Sequence, residues 1–313
     1  MGKKILVCGG AGYIGSVCVK RLLDKGYAVC VVDNLSKGVR KLVDSRAEFY
    51  LGDLVDKDFL REVFANNIFD CVIHFAAYKA VGESMKDAVK YSDNIVGSIN
   101  LLNQMIVSGV KKIIFSSTAA VYGDKNGVMD EETSNEPINF YGFTKLKIEE
   151  IMSWYNKVYG IRYIALRYFN VAGDELNYVD PNAENIFPII MEVITGRREK
   201  LFVFGDDYET DDGTCVRDYI DVRDLVDAHI LAIDSDYVGF MNLGSGRGYS
   251  VKELICSFKR ISKVDFKVGV GERRAGDPAI LIASNKKATE ILGWVPKYTL
   301  DDMISSSVRA YGV

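Results

Sequence analysis

Tyr141 and Lys145 stand four residues apart in NFYGFTKLKIEE, residues 139–150. The segment has a helical pattern, and side chains at positions i and i+4 share one helical face. A phenol on that face could act as a general base, and the ammonium group beside it could lower the pKa of the phenol. An unperturbed tyrosine, however, titrates near pH ~10 and is a poor base at neutral pH. On spacing alone, an ordinary tyrosine and a surface lysine are the simpler interpretation.

A glycine-rich segment near the start of the chain has the features of a phosphate-binding turn. In VCGGAGYIG, Gly9, Gly12 and Gly15 follow an apolar run and precede a helical pattern. Glycines permit the tight turn and let backbone amides approach a pyrophosphate at the helix N-terminus. The alternative is a purely structural glycine turn.

Asp33 supports the phosphate-binding interpretation. It ends the next apolar run, eighteen residues after Gly15. A carboxylate there can accept a hydrogen bond from a ribose 2′-hydroxyl and would repel the extra phosphate of NADP. The alternative is a turn-forming Asp-Asn pair. The two features together predict NAD as cofactor.

Composition excludes several classes of function. The 313-residue chain has a net charge of −4, whereas proteins that grip nucleic acid or anionic membranes usually carry a basic excess. No run of about 18 apolar residues is present, so no membrane span is expected. The chain begins directly in strand-like sequence, without the apolar region of a signal peptide, and we expect a cytoplasmic protein.

Cysteine and histidine are sparse in patterns that could do chemistry. The six cysteines form no Cys-x-x-Cys motif, which favours small core residues in a reducing compartment. The two histidines, His74 and His229, leave no basis for a histidine metal site or a Ser-His-Asp triad. We therefore expect no metal, and acid–base chemistry needs another residue.

Elements that could position these residues alternate along the first half of the chain. Near-continuous apolar strands are separated by helical patterns: KKILVCGG, AVCVVDN, EFYLGD, FDCVIHFAA, KKIIFSST and RYIALRYF. This alternation predicts an α/β fold with a doubly wound, Rossmann-like parallel sheet. After Asn170 the pattern becomes irregular, and 173–185 is predicted as a loop. We expect residues 1–170, with 217–243 returning, to bind the cofactor, and 171–216 with 244–313 to form a smaller mixed substrate domain.

Five motifs in fixed order resemble the extended short-chain dehydrogenase/reductases: GGAGYIG, HFAAYKAVGES, FSSTAAVYG, YGFTK and RYFN. Three later segments, LFVFGDDYETDDGTCVRDYI, NLGSGRGYSV and ERRAGDPA, are similar to the UDP-glucose 4-epimerase family within them. The resemblance extends from Lys4 to about Trp294. It implies an NAD-dependent isomerase that inverts the 4-hydroxyl of UDP-galactose and UDP-glucose.

The resemblance implies catalytic roles for three residues. Tyr141 matches the family's base, Lys145 its lysine, and Thr118 a hydroxyl that hydrogen-bonds the reacting oxygen, although Ser116 or Ser117 could occupy that register. A cation ~4 Å from a phenol at an effective dielectric near 20 is worth roughly 4 kcal/mol, about three pKa units. With the positive nicotinamide ring, Lys145 is therefore expected to lower the pKa of Tyr141 towards neutrality.

The remaining ligand contacts are also implied by matching motifs. Those of the cofactor are, besides the residues above, Tyr13, Ile14, Asn34, Ser36, Asp53, Leu54, Phe75, Ala76, Ala77, Lys79, Asn94 and Tyr168. Those of the UDP-sugar are Lys79, Thr118, Tyr141, Asn170, Asn185, Ile186, Phe202, Phe204, Arg217, Tyr219, Val251, Arg274, Asp277 and Leu281. Two arginines suit a diphosphate. Without the resemblance, Arg217 would be a helix-start residue and Arg274 part of a solvated loop.

The implied cycle oxidises the sugar at C4, lets the 4-keto sugar present its other face, and reduces it again. A 4,6-dehydratase is one alternative, but Ala119 and Ala120 follow Thr118 where dehydratases carry an Asp-Glu pair. A catalytically inactive NAD-sensing protein is another.

Leu281, intermediate in size between tyrosine and cysteine, leaves use of N-acetylhexosamines open. The family commonly forms homodimers through two helices, here 84–107 and 142–159.

Overall fold

The computed structural model describes residues 2–179, 184–274 and 276–313. Its strands are β1 (Lys4–Cys8), β2 (Ala28–Asp33), β3 (Glu48–Leu51), β4 (Cys71–His74), β5 (Lys112–Thr118), β6 (Gly127–Met129), β7 (Arg162–Tyr168), β8 (Asn170–Ala172), β9 (Leu201–Phe204), β10 (Val216–Asp221), β11 (Gly239–Leu243), β12 (Gly248–Ser250), β13 (Val268–Gly271) and β14 (Ile280–Ala283). Seven of them form one parallel sheet in the order β11-β7-β5-β4-β1-β2-β3, which confirms the predicted doubly wound sheet.

The helices are α1 (Tyr13–Asp24), α2 (Lys57–Ala65), α3 (Val81–Ser84), α4 (Ala88–Ser108), α5 (Phe140–Tyr159), α6 (Ile186–Ile194), α7 (Val222–Asp234), α8 (Val251–Ser262), α9 (Lys286–Leu292) and α10 (Leu300–Ala310). Successive strand residues point to opposite faces of the large sheet. Ile5 and Val7 accordingly join the core that includes α1 and α7, while Leu6 and Cys8 join the core that includes α2, α4 and α5. The sheet is covered on both faces.

Local capping sets the start of the helix that carries Tyr141. The Asn139 side chain accepts a hydrogen bond from the Gly142 N–H, and the helix ends at Gly160 in the left-handed conformation. Tyr141 therefore lies in the first turn of α5 and Lys145 one turn later. The predicted helix 84–107 corresponds to α4, which begins at Ala88 because the Asp87 side chain accepts a hydrogen bond from the Lys90 N–H, whereas Ser84 ends α3.

Strands of the second part of the chain, together with β6 from the first part, build a mixed sheet in the order β12-β10-β14-β6, with β8 paired to β10. Helices α6, α8 and α10 share a separate apolar core beside it. Strand β11 and helix α7 return to the large sheet, but β10 belongs to the mixed sheet, so the return begins at about residue 222. Of the predicted loop, 173–179 and 184–185 contain no helix or strand, and 180–183 lie outside the described residues.

None of the helices in the described part of the chain is long and apolar enough to cross a membrane. Within the same residues, no group of three or more histidines, cysteines or acidic residues is arranged to hold a metal ion.

Candidate active site

A cleft of about 740 Å³ opens at the carboxyl ends of the large sheet and continues towards the mixed sheet. Strands β1 and β4 are neighbours there, and the chain order of the strands reverses on either side of them. Ligands of doubly wound sheets bind at such a reversal. All the residues predicted to contact the cofactor line this cleft.

The glycine turn between β1 and α1 leaves no room for side chains. A Cβ atom on Gly15 would lie 2.1 Å from the carbonyl oxygen of Gly9. Gly9 has a φ of 80°, and a Cβ there would lie 2.6 Å from the Ala76 nitrogen. No side chain caps α1 at Gly12, so its first N–H groups can face an anion in the cleft.

Asp33 lies at the end of β2 with its carboxylate held by backbone donors. Its two oxygens accept hydrogen bonds from the Ala11 N–H at 2.9 Å and the Leu35 N–H at 2.8 Å. The neighbouring Asn34 side chain donates to the Asp53 carboxylate at 2.6 Å. The fixed carboxylate suits a ribose diol and disfavours a phosphate on it. The glycine turn and Asp33 together fit NAD.

Asn94 shapes the cleft wall after β4. Its side-chain oxygen accepts from the Tyr78 N–H at 2.9 Å, and its amide nitrogen donates to the Tyr78 carbonyl at 3.0 Å. Both bonds tie helix α4 to the segment that carries Phe75, Ala76 and Ala77. Asn94 thus holds the wall, whereas Lys79 on the same segment is exposed and faces the cleft.

Tyr141, Lys145 and Thr118 all line the cleft. Desolvation by the surrounding protein raises the pKa of Tyr141 to about 12, and a hydrogen bond with Thr118 opposes that shift. Burial lowers the pKa of Lys145 to about 7, against the influence of Glu149. Both shifts describe the protein alone, and the predicted lowering of the Tyr141 pKa by Lys145 together with the nicotinamide ring stays a prediction.

The three hydroxyl residues that end β5 have different partners. The Ser116 hydroxyl hydrogen-bonds the Tyr168 hydroxyl, and the Ser117 hydroxyl donates to the Glu149 carboxylate. Thr118 accepts from the Ala120 N–H at 3.2 Å and bonds Tyr141. Of the three, Thr118 is the one that reaches the phenol, which agrees with the predicted register.

The predicted substrate residues divide into two groups. Asn170, Asn185, Arg217, Asp277 and Leu281 line the cleft with Lys79, Thr118 and Tyr141. Arg217 lies 3.5 Å from the Asp277 carboxylate, and its Nη2 is buried without a hydrogen bond. The Arg217 guanidinium and the Asp277 carboxylate therefore both lie at the wall of the cleft.

The remaining predicted residues lie outside the lining of the cleft. Tyr219 and Val251 are buried in the core beside the mixed sheet, where Ile186 packs against them. Phe202 and Phe204 are exposed on β9, and the Arg274 guanidinium lies 4.1 Å from the Phe204 ring centre. For all six, a contact with substrate stays a prediction.

Three buried polar residues near Lys145 were not predicted from the sequence. Glu149 and Arg167 form a buried ion pair under the cleft, and His74 lines the cleft itself. One signal was available for Glu149, which lies four residues after Lys145 on the same helical face.

Comparison with known proteins relates this geometry to a family. The sequence pattern of the NAD dependent epimerase/dehydratase family matches residues 5–244. A UDP-glucose 4-epimerase from Lacticaseibacillus casei is 49% identical over 310 residues, covering 96% of this chain and 94% of that protein. The solved structure of UDP-glucose 4-epimerase from Brucella ovis in complex with NAD has a TM-score of 0.95 and 40% identity, covering 99% of both chains. The Bifidobacterium longum enzyme in complex with NAD+ and UDP has a TM-score of 0.90 and 37% identity, covering 99% and 98%.

Proposed function

The chain belongs to the NAD dependent epimerase/dehydratase family, and on that premise we propose that it interconverts UDP-galactose and UDP-glucose. The observation that carries this proposal is the position of the Tyr141–Thr118 pair. The pair lines the same cleft as the glycine turn and as Asn170, Arg217 and Asp277. A sugar attached to a diphosphate beside Arg217 would have its 4-hydroxyl within reach of Tyr141. The names of the relatives and the bound UDP of the Bifidobacterium longum enzyme support this choice.

The chain's own residues supply binding and proton transfer. The glycine turn and Asp33 hold the cofactor, which when bound supplies the hydride acceptor and a positive charge beside the phenol. Tyr141 takes the proton of the 4-hydroxyl and later returns it, while Thr118 holds the oxygen in line. Between the two proton transfers, the 4-keto sugar rotates about its link to the diphosphate.

The residues after Thr118 favour epimerisation over dehydration. A 4,6-dehydratase needs an additional acid and base beside the tyrosine to eliminate water. Here Ala119 and Ala120 line the cleft at that point, and neither can transfer a proton. The 4-keto sugar is therefore returned to the hydroxyl state.

The cofactor and the UDP-sugar are proposed to bind to different parts of the chain. Residues 1–170 with about 222–243 hold the cofactor, and 171–221 with 244–313 hold the UDP-sugar. Arg217 and Arg274 neutralise the diphosphate, and Asp277 accepts from ribose hydroxyls. The other nucleotide contacts are Asn170, Asn185, Ile186, Phe202, Phe204, Tyr219 and Val251.

Leu281 is the proposed boundary of the sugar's 2-substituent. It lines the cleft and packs against the cluster that contains Ala119, Val121 and Phe169. UDP-galactose is accordingly the preferred substrate, with UDP-N-acetylgalactosamine turned over more slowly. The alternative, an enzyme that uses plain and N-acetylated sugars equally, requires Leu281 to move aside at no cost.

The proposed assembly is a cytoplasmic homodimer that acts in galactose metabolism. Helices α4 and α5 pack together and expose large apolar side chains, among them Val89 at 83%, Trp154 at 64% and Val158 at 62%. Such exposed apolar groups on neighbouring helices are typical of a protein interface. Sedimentation equilibrium of the parent and of Trp154→Glu tests this: a parent that sediments as a monomer would exclude the dimer.

A direct assay tests the activity. Purified protein is incubated with UDP-galactose, without added NAD, and UDP-glucose is followed by anion-exchange chromatography. Conversion towards an equilibrium mixture of the two sugars is the expected result. A 4-keto-6-deoxy product would identify a dehydratase, and the absence of turnover in NAD-loaded protein would favour a sensing role.

A further inference from the structure

A buried ion pair joins α5, the helix that carries Tyr141, to strand β7. Arg167 of β7 is 0% exposed and Glu149 of α5 is 4% exposed. The Nε of Arg167 donates to the Glu149 carboxylate at 3.0 Å, and its Nη2 donates to the other oxygen at 2.5 Å. Removing two charges from water is costly, and apolar residues often replace such pairs without loss of stability. The pair therefore calls for an explanation in terms of function.

The polar atoms of the pair are well satisfied. Glu149 also accepts a hydrogen bond from the Ser117 hydroxyl, one residue before Thr118. The Nη1 of Arg167 donates to Asn135 at 3.0 Å and to the Tyr122 hydroxyl at 3.2 Å. The pair thus joins the strand that carries Thr118 to the helix that carries Tyr141, and its charges are held in place.

Lys145 is the charged neighbour of this pair in the cleft. It lies one turn before Glu149 on α5, and its ammonium donates to the Ser116 carbonyl at 2.8 Å and lies 4.6 Å from the Phe115 ring centre. Burial lowers the pKa of Lys145 to about 7, and Glu149 is the carboxylate that opposes this. Lys145 can stabilise a Tyr141 phenolate only while it carries its proton.

The other groups packed around Lys145 do not replace Glu149. His74 of β4 remains neutral across the working range, because burial and Lys145 lower its pKa to about 3. Tyr168 of β7 is uncharged, since burial raises its pKa further above the usual value. From α4, Asn94 contributes an amide near Thr144, and from α5 itself the nearest titratable group besides Glu149 is Tyr141.

We propose that Glu149 and Arg167 form a positioning pair that sets the pH range in which Lys145 keeps its proton and hence the range in which Tyr141 acts as base. Neither residue lines the cleft. This inference rests on the proposed role of Tyr141 in proton transfer. The opposite charges of the pair act on Lys145 with opposite sign, and the influence of Glu149, one turn away on α5, outweighs that of Arg167.

The signs of the two single changes follow from this arrangement. Glu149→Gln removes a negative charge, so Lys145 loses its proton at lower pH and activity disappears at lower pH. Arg167→Gln removes a positive charge and moves the loss of activity to higher pH. A displacement of about one pH unit is expected for Glu149→Gln and a smaller one for Arg167→Gln; one unit near the basic limb is a tenfold change in kcat/KM.

The experiment measures kcat/KM for UDP-galactose with NAD-loaded protein between about pH 5.5 and 10, the range that spans both limbs. Parent, Glu149→Gln and Arg167→Gln are compared with matched exposed controls, Glu150→Gln on the same helix and Arg162→Gln on the same strand. The controls should keep the parental profile. A loss of folded protein that is the same at every pH lowers the whole profile and leaves the position of its limbs unchanged.

Opposite displacements of the basic limb support the proposal. Lower activity with both limbs in place, or displacement of both variants in one direction, would show that the pair is merely structural. If a single variant does not retain NAD, the double variant Glu149→Gln/Arg167→Gln carries the test, because it leaves no single buried charge. Its basic limb should lie at lower pH than that of the parent, and an unmoved limb overturns the proposal. A parent that does not epimerise contradicts the proposed function instead.

Discussion

The two ends of the cleft differ in how completely the protein holds its functional side chains. Beneath Tyr141, the groups Lys145, Glu149 and Arg167 are nearly inaccessible to solvent and bonded to fixed partners. At the nucleotide end, Phe202 is 46% exposed and Phe204 is 38% exposed on a two-stranded sheet. The catalytic end is organised before any ligand binds, whereas the nucleotide end presents exposed surface.

The architecture explains this contrast. The catalytic residues follow central strands of a parallel sheet that is covered on both faces, so their surroundings are packed from every side. Strands β9 and β13 instead form a two-stranded ribbon. Leu201 and Val203 of β9 face the core, while alternate residues face solvent. We expect substitutions at the catalytic end to alter turnover and substitutions at the nucleotide end to alter substrate binding.

Tyr141→Phe should have the largest effect. Loss of the proton-accepting oxygen is expected to lower kcat by roughly a thousandfold or more, with KM for UDP-galactose almost unchanged. Steady-state kinetics over a range of UDP-galactose concentrations separate the two parameters. Tyr159→Phe, at the exposed end of the same helix, is the control. Activity within about threefold of the parent would assign the base to another residue.

Asp33→Ala should weaken retention of NAD. A hydrogen bond to a charged group contributes ~1.5–3 kcal/mol, or about ten- to 150-fold in affinity. The measurement is the NAD content of the supernatant after gel filtration and denaturation, with the exposed Asp58→Ala as control. A variant that holds NAD as tightly as the parent would remove the ribose assignment.

Arg274→Ala tests the nucleotide end. It should raise KM for UDP-galactose by about tenfold, equivalent to ~1.4 kcal/mol, and leave kcat within about twofold, because the lost contact is remote from the reacting atoms. Arg260→Ala, which removes an exposed arginine paired with Asp301, is the control. A fall in kcat comparable to that of Tyr141→Phe would contradict the division between the two ends.

Leu281→Tyr should have the smallest effect on UDP-galactose, a change in kcat/KM within about threefold, and should abolish turnover of UDP-N-acetylgalactosamine. In the parent, crowding of the acetamido group is expected to cost ~1–3 kcal/mol, about 5- to 150-fold in kcat/KM. Both substrates are assayed on both proteins. Equal loss of the two activities, or no change in either, would show that Leu281 does not line the sugar site.

The sequence by itself determined the features that depend on short stretches of the chain, namely the strands and helices of the large sheet and the cofactor-binding turn. Alternating apolar strands and helices predicted the parallel sheet, because burial on both faces requires continuous apolar runs. The spacing of Gly9, Gly12 and Gly15 before a helix, followed by Asp33, predicted the cofactor cradle, since the turn and the strand end are short-range features. The motif order supported the prediction of Thr118 over its serine neighbours.

Only the tertiary structure decided features that depend on distant parts of the chain. Strand β6, from the first half, pairs with β14 of the second, and no local pattern specifies that partner. The pKa of Tyr141 moves upward and that of Lys145 downward because desolvation depends on every element packed around them. The Glu149–Arg167 pair joins a helix to a strand, and its charges can act on Lys145 because folding excludes the water that would otherwise screen them.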